Sequence, residues 1–397
     1  MEPRKFLVLF AIFLIGQGIG VPIHTVAQSE KLTIYTYDSL LADPGFDIEG
    51  NFSAFAGIPR ENIEIVRFED AGSILTRAVA EKDSPVADVL IGLDNVLIHQ
   101  ARTEDILEPY KPNGAEGLRD GLVDDLAPDY LMTPYDYGVF AIWYDETRFE
   151  GFQGDFSLEA LRNPEVAKQL VVENPQVSSV GLGFLLWSIA EYGDKVLGDD
   201  GSAWKDFWAD LAKNDARLTP SWGDALDLFF DSSANRSMMV SYTTSPAYGE
   251  CNFGGDTTNA IITETQDGYE GWFQIEGIGL VKNSDNKDLA KKFIDWFISE
   301  DVQKEIYVHQ YMYPALDSVK TPECYVNSTI DKDQITPLNS KIPASVINET
   351  LDQWLADWEQ TWAGTDVAFV DGFPFYLAIS GIMIISLVVK RRKPLKH

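Results

Sequence analysis

The sequence predicts an α/β protein of two helix-covered sheets, held outside the cell by a C-terminal membrane span. Three observations predict it. Apolar strand runs alternate with amphipathic helical runs, as in "KLTIYTYDSL", "SILTRAVAEK" and "ADVLIGLDN". The body from 30 to 363 holds about 330 residues, too many for one ordinary core and enough for two. Both ends of the 397-residue chain carry apolar segments beside basic residues.

At the N-terminus, Arg4 and Lys5 precede "FLVLFAIFLIGQGIGV", and small residues end near Ala27. That layout predicts a signal peptide over 1–28. At the other end, 373–389 ("FPFYLAISGIMIISLVV") carries no charge, near the short limit for a membrane-spanning helix. The basic tail 390–397, "KRRKPLKH", marks the cytoplasmic side. A short stalk, 364–372, joins the span to the body. The expected location is the cell membrane, single-pass, with the body extracytoplasmic.

The formal charge of −31 repels phosphate backbones, which excludes a nucleic-acid partner, and favours approach of cations. Solubility in a salty medium explains the same acidity. Asn51, Asn235, Asn327 and Asn348 head Asn-x-Ser/Thr sequons. Two cysteines, Cys251 and Cys324, lie in the exported body, where oxidising surroundings permit a disulfide. Four scattered histidines and no CxxC point away from a metal site and from a His-dependent triad.

Along the body, "KLTIYTYDSL" reads as a strand, "SILTRAVAEK" as a helix with Ile74, Leu75, Ala78 and Val79 on one stripe, and "ADVLIGLDN" as a strand ending at Asp94-Asn95. Strand, helix, strand suggests a parallel sheet. "YGVFAIWYD", "QLVVENP" and "MMVSYTTSP" read as further strands, and "SSVGLGFLLWSIAEYG" as a helix starting at serines. "FQIEGIGLVKNS" returns as a strand, and "DLAKKFIDWFISEDVQKEI" reads as one long amphipathic helix. With crossings near "TPYDYG" and "GWFQIEG", lobe 1 takes 29–133 and 272–363 and lobe 2 takes 134–271. Ligands of open α/β sheets gather at strand carboxyl ends, which sends Tyr37-Asp38, Asp94-Asn95, Ser178-Ser179 and the Tyr242–Tyr248 stretch to one cleft. That stretch, with a Ser-Pro step and no helical periodicity, reads as a loop.

"YTYDS", "EDAGSILTR", "ADVLIGLDN", "PYDYG", "GLGFLLW", "SYTTSPAY" and "MYP", in this order, resemble the periplasmic thiamine-binding proteins of ABC importers, from about Lys31 to the Trp358 region. The resemblance implies a type II periplasmic-binding-protein-like fold. It implies a monomeric body that hands its ligand to permease subunits with a cytoplasmic ATPase. No cofactor is implied, only a bound ligand, thiamine or a thiamine phosphate. The contacts it carries over are Tyr37, Asp70, Ser178, Ser179, Trp222, Tyr242 and Tyr248. Tyr311 stands where the relatives have tryptophan before "MYP", giving less ring area and a weaker cation–π surface.

The residues support this independently. A thiazolium is a fixed cation, so its pocket must neutralise it or face it with π-electrons. Other roles stay open at single positions. Tyr37 and Tyr242 also suit a strand core, and Asp70 suits a helix cap. Ser178 and Ser179 suit an N-cap whose free N–H groups face an anion. Three other functions compete. A thiamine-degrading enzyme needs a cleft cysteine, and only Cys251 lies near a cleft loop. An iron binder of the same fold would use a tyrosine pair plus histidine or carboxylate ligands, and neither Tyr242 nor Tyr248 has a neighbouring histidine. A polyamine binder would use acids with aromatics.

Overall fold

The computed structural model describes residues 31–364, apart from 43, 44, 200, 202 and 256. Eight strands form the spine of a continuous sheet: β1 (Leu32–Tyr37), β2 (Ile63–Phe68), β3 (Val89–Asp94), β4 (Thr133–Asp145), β5 (Leu170–Glu173), β6 (Arg217–Thr219), β7 (Met238–Tyr242) and β8 (Phe273–Val281). Their spatial order is β2-β1-β3-β8-β4-β7-β5-β6. β1 pairs parallel with β2 and β3, and β5 pairs parallel with β6 and β7. β4 and β8 run antiparallel to their neighbours and join the two parallel groups.

β4 belongs to both groups. Its residues from Thr133 to Val139 pair with β8, and from Phe140 to Tyr144 with β7. A strand with a core on both faces must be apolar along its length, and all of β4 except Asp145 is buried. β1 and β3 are likewise buried throughout.

Helices cover the sheet. α1 (Ala71–Ala80) starts at Asp70, whose carboxylate accepts the Ala71 N–H. α2 (Ser179–Tyr192) starts at Ser178 and buries nearly every side chain, so it is a core helix rather than an amphipathic one. α3 (Ala203–Lys213) turns Trp204, Phe207, Trp208 and Leu211 inward. α4 (Trp222–Phe230) is capped by Ser221. α5 (Ala247–Phe253) begins right after Pro246, so Tyr248 sits on a helix where the sequence predicts a loop. Seven residues are too few to show periodicity, and proline suits a helix start. The long helix read from "DLAKKFIDWFISEDVQKEI" is broken: Lys287–Phe297 ends at Ile298, and Glu300–Glu305 begins after Ser299.

The longest described helix, α6 (Ala344–Ala363), buries Trp354, Trp358 and Trp362. Four-residue spacing puts these rings on one stripe, and Trp208 of α3 meets both Trp358 and Trp362 edge-on. Lys205 pairs with Asp357 alongside. α6 therefore packs on protein. Its outer face carries acids, including exposed Asp352, which no bilayer core would accept.

The expected C-terminal membrane helix is corrected here: among the described residues no helix is long and apolar enough to cross a membrane. The segments read as signal peptide (1–28), span (373–389) and basic tail (390–397) lie outside the described residues.

Gly183 of α2 lies against the Phe140 ring of β4, where an added Cβ would stand 1.8 Å from a ring carbon. Helix propensity alone favours Gly183→Ala by roughly 1 kcal/mol, but overpacking costs about 1–3 kcal/mol. The overpacking should win, lowering the melting temperature. An equal or higher melting temperature would show that Phe140 yields freely.

Candidate functional site

The carboxyl ends of β1, β2, β6 and β7 open onto one cavity of about 680 Å³, closed from the other side by His309–Met312. Seven of the eight side chains expected at a ligand border it: Tyr37, Asp70, Ser179, Trp222, Tyr242, Tyr248 and Tyr311. Ser178 does not. It is buried as the N-cap of α2, its hydroxyl accepting the Gly181 N–H.

The rings divide into a floor and a wall. Tyr37 is floor: its hydroxyl donates to Glu276 at 2.8 Å and accepts from Gln310 Nε2 at 2.6 Å. Its ring lies over Gly92, whose φ of +104° and missing side chain make the approach sterically open. Tyr242 is both floor and core, stacked on Phe140 with centroids 5.2 Å apart. The wall is Tyr248 and Tyr311, edge-to-face at 5.1 Å, with Phe230 next to Tyr248. Trp222 opens α4 with its Nε1 donating to Ser241 Oγ at 3.0 Å. Cys251, one turn beyond Tyr248, is disulfide-bonded to Cys324 on the helix Glu323–Ser328. That bond pins the wall helix to the segment after Tyr313-Pro314.

Asp70 joins the two parallel groups of strands. Its Oδ1 accepts the Ala71 N–H of α1 and, at 3.0 Å, the Ser179 N–H of α2. Gly72 permits this approach, since a Cβ there would stand 2.5 Å from the Val177 carbonyl. One side chain thus caps both helices and borders the cavity.

Sequence reasoning missed most of the cavity's charge. Asp38, expected there from its strand end, and Asp70 border it, but so do Glu69, Asp224, Asp227 and Glu276, with no lysine or arginine among the lining residues. Glu276 had a usable signal, as a lone acid inside the apolar run "FQIEGIGLV". Asp224 and Asp227, three apart on α4, share a face. Burial pushes the Asp70 carboxyl up to about 6, against the Ser179, Ser178 and Ala71 hydrogen bonds that pull it down. Burial likewise pushes Glu276 up to about 7. Among the described residues no grouping of three or more His, Cys, Asp or Glu side chains could hold a metal ion.

The family model for bacterial extracellular solute-binding proteins matches residues 60–304. The chain belongs to that family. This solute-binding protein is 29% identical over 361 residues to a thiamine-binding periplasmic protein of Brucella abortus, covering 89% of this chain and 97% of the relative. It is 31% identical over 296 residues to the thiamine-binding periplasmic protein of Salmonella typhimurium, covering 72% and 81%. The solved structure of a periplasmic thiamin binding protein superposes with a TM-score of 0.68 at 28% identity, over 83% of this chain and 96% of that one. The two-lobed periplasmic-binding-protein fold is therefore the fold of this chain. Its relatives are binding proteins, and so is it, not an enzyme.

The relatives also correct the expected location. They are named periplasmic proteins, and no described helix is long and apolar enough to cross a membrane. The expectation of a single-pass membrane protein is set aside. It rested on apolar content at 373–389, outside the described residues.

Asp70 gives this solute-binding protein a testable pH dependence. Its folded-state value, about 6 against an ordinary 3.8, favours the neutral carboxyl on folding. The stabilisation is full below about pH 3.8 and is lost as pH rises through about 6, a change of up to about 3 kcal/mol. Asp70→Asn keeps an oxygen acceptor and does not titrate. The variant should gain on wild type by up to about that amount between pH 4 and pH 7 in denaturant unfolding. A gap that stays constant with pH would contradict the assignment.

Proposed function

We propose that this solute-binding protein captures thiamine in the cavity between its lobes and delivers it to the permease subunits of an ABC importer, whose ATPase is cytoplasmic. The lobes are 29–133 with 272–363, and 134–271. The observation that carries the reading is the cavity lining: six carboxylates, seven aromatic rings and no lysine or arginine. A small ring cation meets both needs of that lining, charge pairing with the acids and π-contact with the rings. The similarity to proteins named as thiamine-binding supports the same ligand.

Among the forms of thiamine, the lining favours the unphosphorylated one. A phosphate would face carboxylates, and the Ser179 N–H at the start of α2 already donates to Asp70. The α2 N-terminus is thus engaged by a protein anion.

Calorimetry on the folded exported body tests the proposal, with thiamine, thiamine monophosphate and spermidine as titrants. Thiamine should bind most tightly. No heat with either thiamine form would remove the reading, and preferential spermidine binding would replace it with a polyamine carrier.

The wall and floor rings should behave differently. Tyr248→Ala and Tyr311→Ala should each weaken thiamine binding by about 1–3 kcal/mol while leaving unliganded melting nearly unchanged. Tyr242→Ala should lower both, because its ring also packs on Phe140. Unchanged affinity in both wall variants would contradict the assignment of that wall.

A further inference from the structure

Glu276 lies on β8 directly opposite Asp136 of β4 and Asp94 of β3. It borders the cavity, yet only 4% of it is exposed. Its Oε2 accepts two hydroxyls, from Tyr37 at 2.8 Å and from Tyr135 at 2.9 Å. Asp136 is fully buried, and among the described residues neither of its carboxyl oxygens has a donor. Two carboxyls side by side are satisfied only with a proton between them. Asp136 therefore carries a proton and donates it to Glu276, and burial with the Glu276 charge holds it there.

We propose that Glu276 is a titrating counter-ion for the cavity's ligand, so that capture of a fixed organic cation expels a proton from Glu276 and affinity climbs as pH rises toward neutral. The inference rests on the reading that the ligand is such a cation. In the acid range the carboxyl pair holds two protons, one on Asp136 and one on Glu276, while Asp70 gives up its own proton lower, at about 6. An entering thiazolium puts a permanent positive charge beside Glu276 and favours its carboxylate. The Glu276 proton leaves to solvent, Asp136 keeps its own, and the net charge gained by the site is that of the ligand minus that of the proton. Above neutrality Glu276 is already ionised and no proton is released, in keeping with its position at about 7.

The surroundings concentrate this response on Glu276. From β3, Asp94 is tied to the Val96 and Leu97 N–H groups and to Gln274. From the start of α1, Asp70 is held by two backbone N–H groups. Tyr37, Tyr135 and Tyr242 face the acid as neutral phenols, their ionisation pushed far up by burial. His309, on the far side of the cavity, pairs with Glu305 at 3.3 Å. The Glu276 carboxyl has only hydroxyl and carboxyl partners, Tyr37, Tyr135 and Asp136.

The test is thiamine calorimetry at pH 6 and pH 8.5 in buffers of different ionisation enthalpy, with a dissociation constant measured at half-unit steps from pH 5.5 to 8.5. The expected result is release approaching one proton per thiamine at pH 6 and none at pH 8.5. One linked proton makes the constant tighten by up to about tenfold per pH unit below neutrality, then level off. Glu276→Gln should bind thiamine more weakly and lose the slope between pH 6 and 7.5, whereas Asp70→Asn should keep it. Comparing variants with one ligand cancels thiamine's own protonation. Wild-type binding with no proton exchange at pH 6 overturns the inference and leaves thiamine capture standing. A slope that survives in Glu276→Gln and disappears in Asp70→Asn overturns it too. No binding at any pH removes the capture reading itself. If Glu276→Gln does not fold, the buffer series on the wild-type protein decides alone.

Discussion

Uncompensated negative charge at the strand ends is the constraint on which this structure turns. Six carboxylates border one cavity without a lysine or arginine among the lining residues. Asp38, Glu69, Asp224 and Asp227 are exposed, but the buried pair, Asp70 and Glu276, is costly unless protonated, hydrogen-bonded or matched by a ligand. The protein itself supplies the first two. Asp70 and Asp94 sit at helix starts and take backbone N–H groups, while Asp136 and Glu276 lean on a proton and on tyrosine hydroxyls. A cavity balanced in this way gains most from a ligand that brings a positive charge of its own.

The sheet puts that charge where the two halves meet. β4 pairs with β8 along its first half and with β7 along its second, so Asp136 and Glu276 lie on the strands shared by both groups. Asp70 reaches from the start of α1 to the start of α2, a hydrogen bond between residues 109 positions apart. Away from the cleft, the tryptophan stripe of α6 on α3 and the Cys251–Cys324 bond fix the frame.

Much of the fold was legible because buried strands are apolar along their length: "LTIYTY", "VLIGLD" and "VFAIWY" have few other readings. α2 was legible from the serines before a long apolar run. Short elements were not. α5 starts right after Pro246 and is only seven residues long, and a single serine, Ser299, splits what the hydrophobic stripe presents as one helix. The aromatic half of the cavity could be read from motifs, since Tyr37, Trp222, Tyr242, Tyr248 and Tyr311 sit in distinctive stretches. Of the acidic half, Asp38 was legible from its strand end and Glu276 left a signal as a lone acid in an apolar run, but Glu69, Asp224 and Asp227 look like ordinary surface acids until the sheet gathers them. Ser178 is a motif residue that lies behind the cavity wall, capping α2 and hydrogen-bonding Asp70.

The central claim is that the cavity selects its ligand by a fixed positive charge held against rings and carboxylates. The most direct measurement compares thiamine with a neutral analogue whose thiazolium is replaced by a triazole of the same shape, titrated into the same protein at pH 7.5. The account predicts that the neutral analogue binds at least tenfold more weakly, since it forfeits both the cation–π and the carboxylate contributions. Equal affinity for the two would contradict it, because ring shape alone would then explain the recognition.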